Sequence, residues 1–139
     1  MQATAPVQPT NGPEPATSVL TGDGPTRTEN DSLGSMQIPA DVYWGIHTAR
    51  ALVNFPISRR AISNYPSLMR ALAYVKQASA RANKEIGVLE PAKADVIDAV
   101  CQRIIDGEFH DQFVVGVIQG GAGTSTNMNA NEVIANVGL

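Results

Sequence analysis

From Leu68 to Ile86 the residues Leu68, Leu72, Val75, Ser79, Ala82 and Ile86 recur at steps of four and three, the spacing of one face of an α-helix. Ser63-Asn64-Tyr65-Pro66 is its entrance, since proline suits a first helical turn, and Gly87 stops it. The opposite face carries Arg70, Lys76, Gln77, Arg81 and Lys84, and is expected to meet solvent or a loosely held neighbour. Small residues throughout (Ala71, Ala73, Ala78, Ala80, Ala82) permit close packing. Glu90-Pro91 opens a second helix, closed by Gly107, on which Val96, Val100 and Ile104 form one apolar stripe and Ile97, Cys101 and Ile105 the next. A face that wide predicts core, with Cys101 inside it. Upstream, short polar residues around Gly34, then Met36 and Ile38 in alternation, predict a turn and a brief extended strand. From His47 to Leu52 a short helix is expected, ended by Asn54-Phe55-Pro56-Ile57. Phe109 to Ile118 reads as an extended apolar run, and from Glu132 onward the chain turns helix-like again. The pattern is mainly α, and no internal repeat is found.

Residues 1–26 are a different material. Pro6, Pro9, Pro13, Pro15 and Pro25 alternate with Gly, Thr, Ala and Gln, and no aromatic residue is present. Such a stretch buries too little apolar surface to offset its ordering entropy, so a disordered extension is expected, with residues 27–139 forming the folded domain. No P-x-x-P pattern with basic flanks marks it as a docking peptide. Over the whole chain of 139 residues, 43% hydrophobic and 17% charged content suits a globular protein. A net charge of −3 gives no nucleic-acid surface. No apolar run approaches the roughly 20 residues of a membrane span. With no basic residue before Arg27 and no apolar leader segment, a secretory or mitochondrial address is not expected. The lone Cys101 excludes an internal disulfide, and a reducing cytoplasm is the expected compartment.

Candidate chemistry concentrates in Gly120-Gly121-Ala122-Gly123-Thr124-Ser125-Thr126-Asn127-Met128-Asn129-Ala130-Asn131-Glu132, where three glycines, three hydroxyls and three amides share thirteen residues without a Lys or Arg. Glycines allow backbone to approach a ligand closely, and hydroxyls and amides offer both donors and acceptors. A Gly-rich turn feeding a helix is a ready anion site, because the first helical N–H groups lack partners. The expected ligand is a small, polar, anionic substrate. A nucleotide phosphate loop would need Gly-Lys-Ser/Thr, and the dinucleotide pattern lacks its third glycine. His47, near a helix start, and His110, beside Asp111, read as structural. Two histidines and one cysteine spaced far apart give no metal site.

The stretch Gly121 to Asn136 closely resembles the N-terminal signature of the aspartase/fumarase superfamily. Leu33-Gly34 with Ile38-Pro39-Ala40-Asp41, then Tyr43-Trp44-Gly45-Ile46-His47-Thr48-x-Arg50-Ala51, then Asn54-Phe55-x-Ile57-Ser58, resemble it in the same order, so the likeness covers about residues 29–139. The implied fold is the N-terminal lyase domain of that superfamily, short extended segments plus several helices, without its central long-helix bundle. Class II fumarases have Ser and Gln where this chain has Ala122 and Ser125, Gly-Ala-Gln-Thr where it has Gly45-Ile46-His47-Thr48, and Arg-Ala after Asn136. Each departure favours the aspartate ammonia-lyase branch, with a class II fumarase as the alternative.

The resemblance implies reversible deamination of L-aspartate to fumarate. Proton removal beside a carboxylate builds charge on its oxygens, which fixed hydroxyl, amide and N–H donors stabilise. By match to the motif, Thr124 is the expected carboxylate contact, with Gly123 and Ser125 shaping the same pocket. Asn127 and Asn129 contribute amide contacts, or else cap and brace the helix. The family builds its site from further blocks: Ser-Thr-Asn-Asp, a Thr-His pair, and a loop whose Ser is the general base. None occurs in these 139 residues, so no catalytic residue is assigned, and the chain is expected to be the N-terminal portion of a longer enzyme, inactive alone. A non-catalytic, lyase-derived binding protein is the contrasting expectation. No organic cofactor is expected, and divalent-ion activation stays open. The implied partners are the dicarboxylate substrate and, at full length, three further copies in a homotetramer.

Overall fold

The computed structural model describes Leu20 and residues 24–58 and 60–139. Most of the Pro-rich stretch therefore lies outside the described residues. Leu20 is buried against the core, and Thr26 already belongs to a strand.

The polar text around Gly34 forms two strands rather than one. β1 (Thr26–Asp31) pairs antiparallel with β2 (Gly34–Pro39), Thr26 opposite Pro39 and Asp31 opposite Gly34. Only Ser32 and Leu33 connect them. The Asp31 carboxylate accepts from Leu33 N at 2.8 Å, and Gly34 adopts φ 111°, a left-handed value that glycine takes without steric cost. β1 escaped the sequence pattern because Thr-Arg-Thr-Glu-Asn-Asp offers no apolar alternation; its outward residues pair with those of β2 through Thr26–Gln37 and Gln37–Thr28 side-chain bonds. Ile38 points into the core and is fully buried.

Helix α1 (Ile46–Asn54) follows as expected. α2 (Pro66–Glu85) and α3 (Pro91–Asp106) form an antiparallel pair, with Gly87 (φ 76°) in the connection and left-handed Gly107 closing α3. The apolar stripe of α2 is a correction. Val75 and Ile86 are 62% and 70% exposed, and Leu68 is exposed too, whereas Met69, Ala73, Gln77 and Ala80 are buried. The face expected to meet solvent or a loosely held neighbour is the one that packs on α3. Arg81 pairs with Asp98 and Lys84 with Asp95, Arg70 Nε donates to Ile105 O at 3.0 Å, and the Gln77 amide donates to Asp98 O at 3.2 Å. Charged side chains ending in water along a helix–helix seam cover apolar surface with their stems, so a polar face can still be an interface. On α3 the apolar stripes hold: Val100, Cys101, Ile104 and Ile105 are buried, although Val96 is 43% exposed. Burial, helped by Asp98, pushes the Cys101 thiol up to about 11, which leaves it an inert core residue.

The run after α3 is not continuously extended. A turn at His110–Gln112 breaks it, with Phe109 at a left-handed φ of 59°. Only beyond Phe113 does it run alongside residues 60–63, through Ser63 N to Phe113 O (3.1 Å), Ile62 N to Val115 O (2.9 Å) and Val117 N to Arg60 O (3.0 Å). Phe113 and Val115 enter the core. The last helix, α4 (Thr124–Val137), begins eight residues earlier than the pattern from Glu132 suggested. Thr, Ser and Asn are poor helix formers alone, but Asn129, Ala130, Val133 and Ile134 bury one face and tertiary packing overrides propensity.

α1 and α4 lie antiparallel. The Glu132 carboxylate accepts from Gly45 N (2.9 Å), His47 N (2.8 Å) and Thr48 N (3.1 Å) at the start of α1, while Asn54 and Phe55 at its other end face Thr124 and Ser125. Glu29 from β1 takes a further amide, Ile46 N, at 2.8 Å. Two carboxylates thus satisfy donors that Gly45, at the N-cap, has no side chain to satisfy. A Cβ on Gly45 would lie 2.8 Å from an oxygen of each. Gly45→Ala is expected to destabilise the chain by about 2 kcal/mol or more, as overpacking adds to weakened charge-assisted bonds. Urea unfolding measures it, and an unchanged midpoint would show that the carboxylates yield without loss.

Candidate functional site

The Gly-rich turn is left-handed over three successive residues: Gly121 (φ 69°), Ala122 (φ 53°) and Gly123 (φ 84°). Glycine accepts this freely, whereas Ala122 is strained by about 1 kcal/mol or more. The turn reverses the chain so that α4 starts at Thr124. Its first turn is held in two ways. Thr124 Oγ1 donates to Gly121 O at 2.6 Å, and the Gln119 side chain reaches over to Thr126, its Oε1 accepting from Thr126 N at 2.8 Å.

Thr124, Ser125 and Met128 border a small cavity of about 150 Å³ that is lined on the α1 side by His47, Arg50, Ala51, Asn54 and Phe55. Two helix faces meet there. Positions 47, 50, 51 and 54 share one side of α1, and 124, 125 and 128 share one side of α4, by the i, i+3, i+4 rule. Thr124 is exposed, and its single hydroxyl proton is engaged by Gly121 O, so an arriving carboxylate competes with that carbonyl for it. Arg50 spends its guanidinium on Asp31, both contacts at 2.7 Å, and on Gly34 O at 3.0 Å. That bidentate pair holds the Asp31 carboxyl below the usual carboxylate range and ties the hairpin to α1. The cavity wall therefore carries Arg50, already neutralised by Asp31, beside hydroxyl and amide groups.

The remaining sequence candidates sit elsewhere. Gly123 is the N-cap of α4 and faces the opposite side, toward Tyr65, Leu68 and Val117. Asn127 points to α2, where its Oδ1 accepts from Lys76 Nζ at 2.5 Å. Asn129 is fully buried, its Oδ1 accepting from Val114 N and its Nδ2 donating to Gln112 O, both at 3.0 Å. Both ends of that amide are thus consumed by backbone. His110 Nε2 lies 2.8 Å from Ile104 O at the end of α3. His47, read as structural, bonds Glu132 through its backbone N–H, and as an exposed residue it also borders the cavity with Thr124 and Ser125. Asn54 and Met128 join it there. The signal available in sequence was the helical spacing of His47, Arg50 and Asn54 on one face. A larger, mostly apolar groove of about 270 Å³, lined by Ala80, Leu89, Ile97 and Ile134 with Lys76 and Asn131 at its border, includes no residue of the Thr124 cavity.

Asn129→Ala is expected to lower stability by about 2 kcal/mol or more, because it orphans a buried N–H and a buried carbonyl. Asn127→Ala, at an exposed contact, should stay within about 0.5 kcal/mol. Thermal unfolding of the two variants compares them directly; similar losses would contradict the division between a buried brace and a surface contact.

A family model described as lyase matches residues 34–138. The chain is 58% identical to the aspartate ammonia-lyase of Pseudomonas canavaninivorans over 113 residues, 81% of this chain and 24% of that protein. It is 56% identical to the class II fumarate hydratase of Halobacterium salinarum over 110 residues, 79% of this chain and 23% of that one. The crystal structure of a fumarate lyase:delta crystallin from Brucella melitensis superposes with a TM-score of 0.80 at 56% identity, over 82% of this chain and 26% of that one. The chain thus spans about a quarter of the length of the curated relatives it matches. Its mainly helical fold, with one two-stranded sheet among the described residues, is that of the fumarate lyases. The chain belongs to the lyase family that includes the aspartate ammonia-lyases and the class II fumarases.

Proposed function

We propose that the chain is part of an aspartate ammonia-lyase and supplies one wall of its substrate-carboxylate pocket. The observation that carries this is the pairing of Thr124 and Ser125, at the start of α4, with His47, Arg50 and Asn54 across one small cavity. A carboxylate seated there takes the Thr124 hydroxyl proton in place of Gly121 O and gains the Ser125 hydroxyl. Both donors strengthen as charge develops on the carboxylate during proton removal from the adjacent carbon. Gly123 contributes by letting the turn reverse at φ 84°, and Asn129 by bracing the helix against residues 112–114. Asn127 lies outside this cavity and serves α2.

The general base belongs to polypeptide not among these 139 residues. The complete enzyme, in this reading, is a homotetramer whose sites combine regions of several subunits. A class II fumarase is the second reading, favoured by the 56% identity to the Halobacterium fumarate hydratase. Ala122, Ser125 and the Gly45-Ile46-His47-Thr48 block argue for the aspartase.

Two measurements test the proposal. The isolated chain, incubated with L-aspartate and followed by the ultraviolet absorbance of fumarate, is expected to show no turnover; real turnover would refute the assignment of the base elsewhere. In the complete enzyme, Thr124→Val keeps the shape and removes the hydroxyl, and kcat/KM for aspartate should fall by about tenfold or more. An unchanged value removes Thr124 from the site, and higher activity on malate than on aspartate selects the fumarase.

A further inference from the structure

We propose that Gln119 is a positioning residue for this site: its side-chain amide ties the first turn of α4 to the framework and so fixes where Thr124 and Ser125 present their hydroxyls. The residue at the N-cap of α4, Gly123, makes no side-chain cap bond. Gln119 supplies that bond from outside the helix. Its Oε1 accepts from Thr126 N at 2.8 Å, while its Nε2 donates to Thr126 Oγ1 at 2.8 Å and to Gly116 O at 2.9 Å. One amide thereby uses its acceptor and both donors.

The far end of this tie is firm. Gly116 is bridged to Ala61, and its neighbours Val115 and Val117 are bonded to Ile62 and Arg60. A Cβ on Gly116 would already lie 3.2 Å from Ser58 O, so the two segments are in close contact. The intervening residues 120–123 bond within the turn, Gly121 O accepting from Thr124 Oγ1 at 2.6 Å, and among the described residues make no hydrogen bond to the 58–63 segment: three are glycine, the fourth is Ala122, and three of the four are left-handed. Gln119 spans this weak joint and grips Thr126, in the same helical turn as Thr124 and Ser125. It does not line the cavity that those two share with His47 and Arg50, but the space behind it with Tyr65, Leu68 and Thr126. Its influence on substrate therefore passes through the helix turn, and a displacement of about 1 Å at such a turn can cost on the order of a hundredfold in rate.

The proposal rests on the carboxylate-binding reading above, and a double-mutant cycle in the complete enzyme separates the two. The proteins are the unaltered enzyme, Thr124→Val, Gln119→Leu, Gln119→Glu, and each Gln119 variant combined with Thr124→Val, with kcat/KM for aspartate normalised to folded protein. Leu removes all three bonds, whereas Glu keeps an acceptor for Thr126 N and loses the link to Gly116. Gln119→Leu is expected to lower kcat/KM by about tenfold and Gln119→Glu by about threefold. Once Thr124 is Val, the Gln119→Leu loss should shrink to about threefold and the Gln119→Glu loss to less than about twofold, because only the Ser125 hydroxyl remains to be positioned. Normal kcat/KM in the Gln119 variants beside an impaired Thr124→Val overturns the positioning role and leaves the carboxylate reading intact. Fully additive losses overturn it as well, since they mark a general structural effect. An unimpaired Thr124→Val overturns the reading on which both stand. If Gln119→Leu does not fold, the Gln119→Glu cycle decides alone, with unaltered kcat/KM or additivity as the overturning results.

Discussion

The seating of α1 depends on carboxylates brought to its N-terminus from elsewhere in the chain. Glu132 receives three backbone N–H groups and Glu29 a fourth, all between Gly45 and Thr48. Ionised acceptors at a helix start combine charge-assisted hydrogen bonds with the favourable end of the helix dipole. The same contacts lock three elements together, since Glu29 comes from β1, Glu132 from α4, and the amides from α1. Glu29 is itself held by Arg27 at 2.9 Å, and Arg27 also donates to Val42 O and Trp44 O, each at 2.7 Å, so the approach to α1 is fixed as well. Arg50 and Asp31 repeat the pattern one turn along, from the helix back to the hairpin.

With α1 and α4 clamped at the Glu132 end, the cavity forms at the other end, where Asn54 and Phe55 meet Thr124 and Ser125. α4 divides its short polar side chains by direction. Thr124, Ser125, Met128 and Glu132 face α1, Asn127 reaches α2, and Asn129 turns inward to fasten residues 112–114. Hydroxyls and amides that look alike in a row along the chain thus do three jobs, because successive helical residues are rotated by about 100°. One buried hydroxyl is left over: Thr48 Oγ1 has no partner among the described residues.

Helix α2 shows where a pattern of residue types misleads. The stripe through Val75 and Ile86 is helical in period, and the helix is there, but most of the stripe faces outward, although Leu72 packs against the core. The packed side is built from Met69 and the small Ala73 and Ala80, which let α3 approach, flanked by Arg81 and Lys84, whose charges meet Asp98 and Asp95 at the surface. Periodicity locates a helix and its faces; it does not say which neighbour each face receives. Burial of Gln77 follows the same logic, its amide satisfied by Asp98 O.

The sequence by itself determined the helices, their stops at Gly87 and Gly107, the core stripes of α3, and the block of residues around Thr124, because these rest on local rules: helical period, proline and glycine geometry, and the concentration of small polar groups. It also carried the family, through separated blocks in a fixed order. Tertiary structure alone decided that α4 begins at Thr124, that β1 exists, that Asn129 is a brace, and that His47 shares a cavity with Thr124. Each of these depends on partners far along the chain: Glu132 on amides 84 to 87 residues away, Asn129 on Gln112 and Val114, and Thr126 on the Gln119 amide. A hydrogen-bonding side chain declares its capacity in sequence, but its partner is chosen only when the fold brings two segments within about 3 Å of each other.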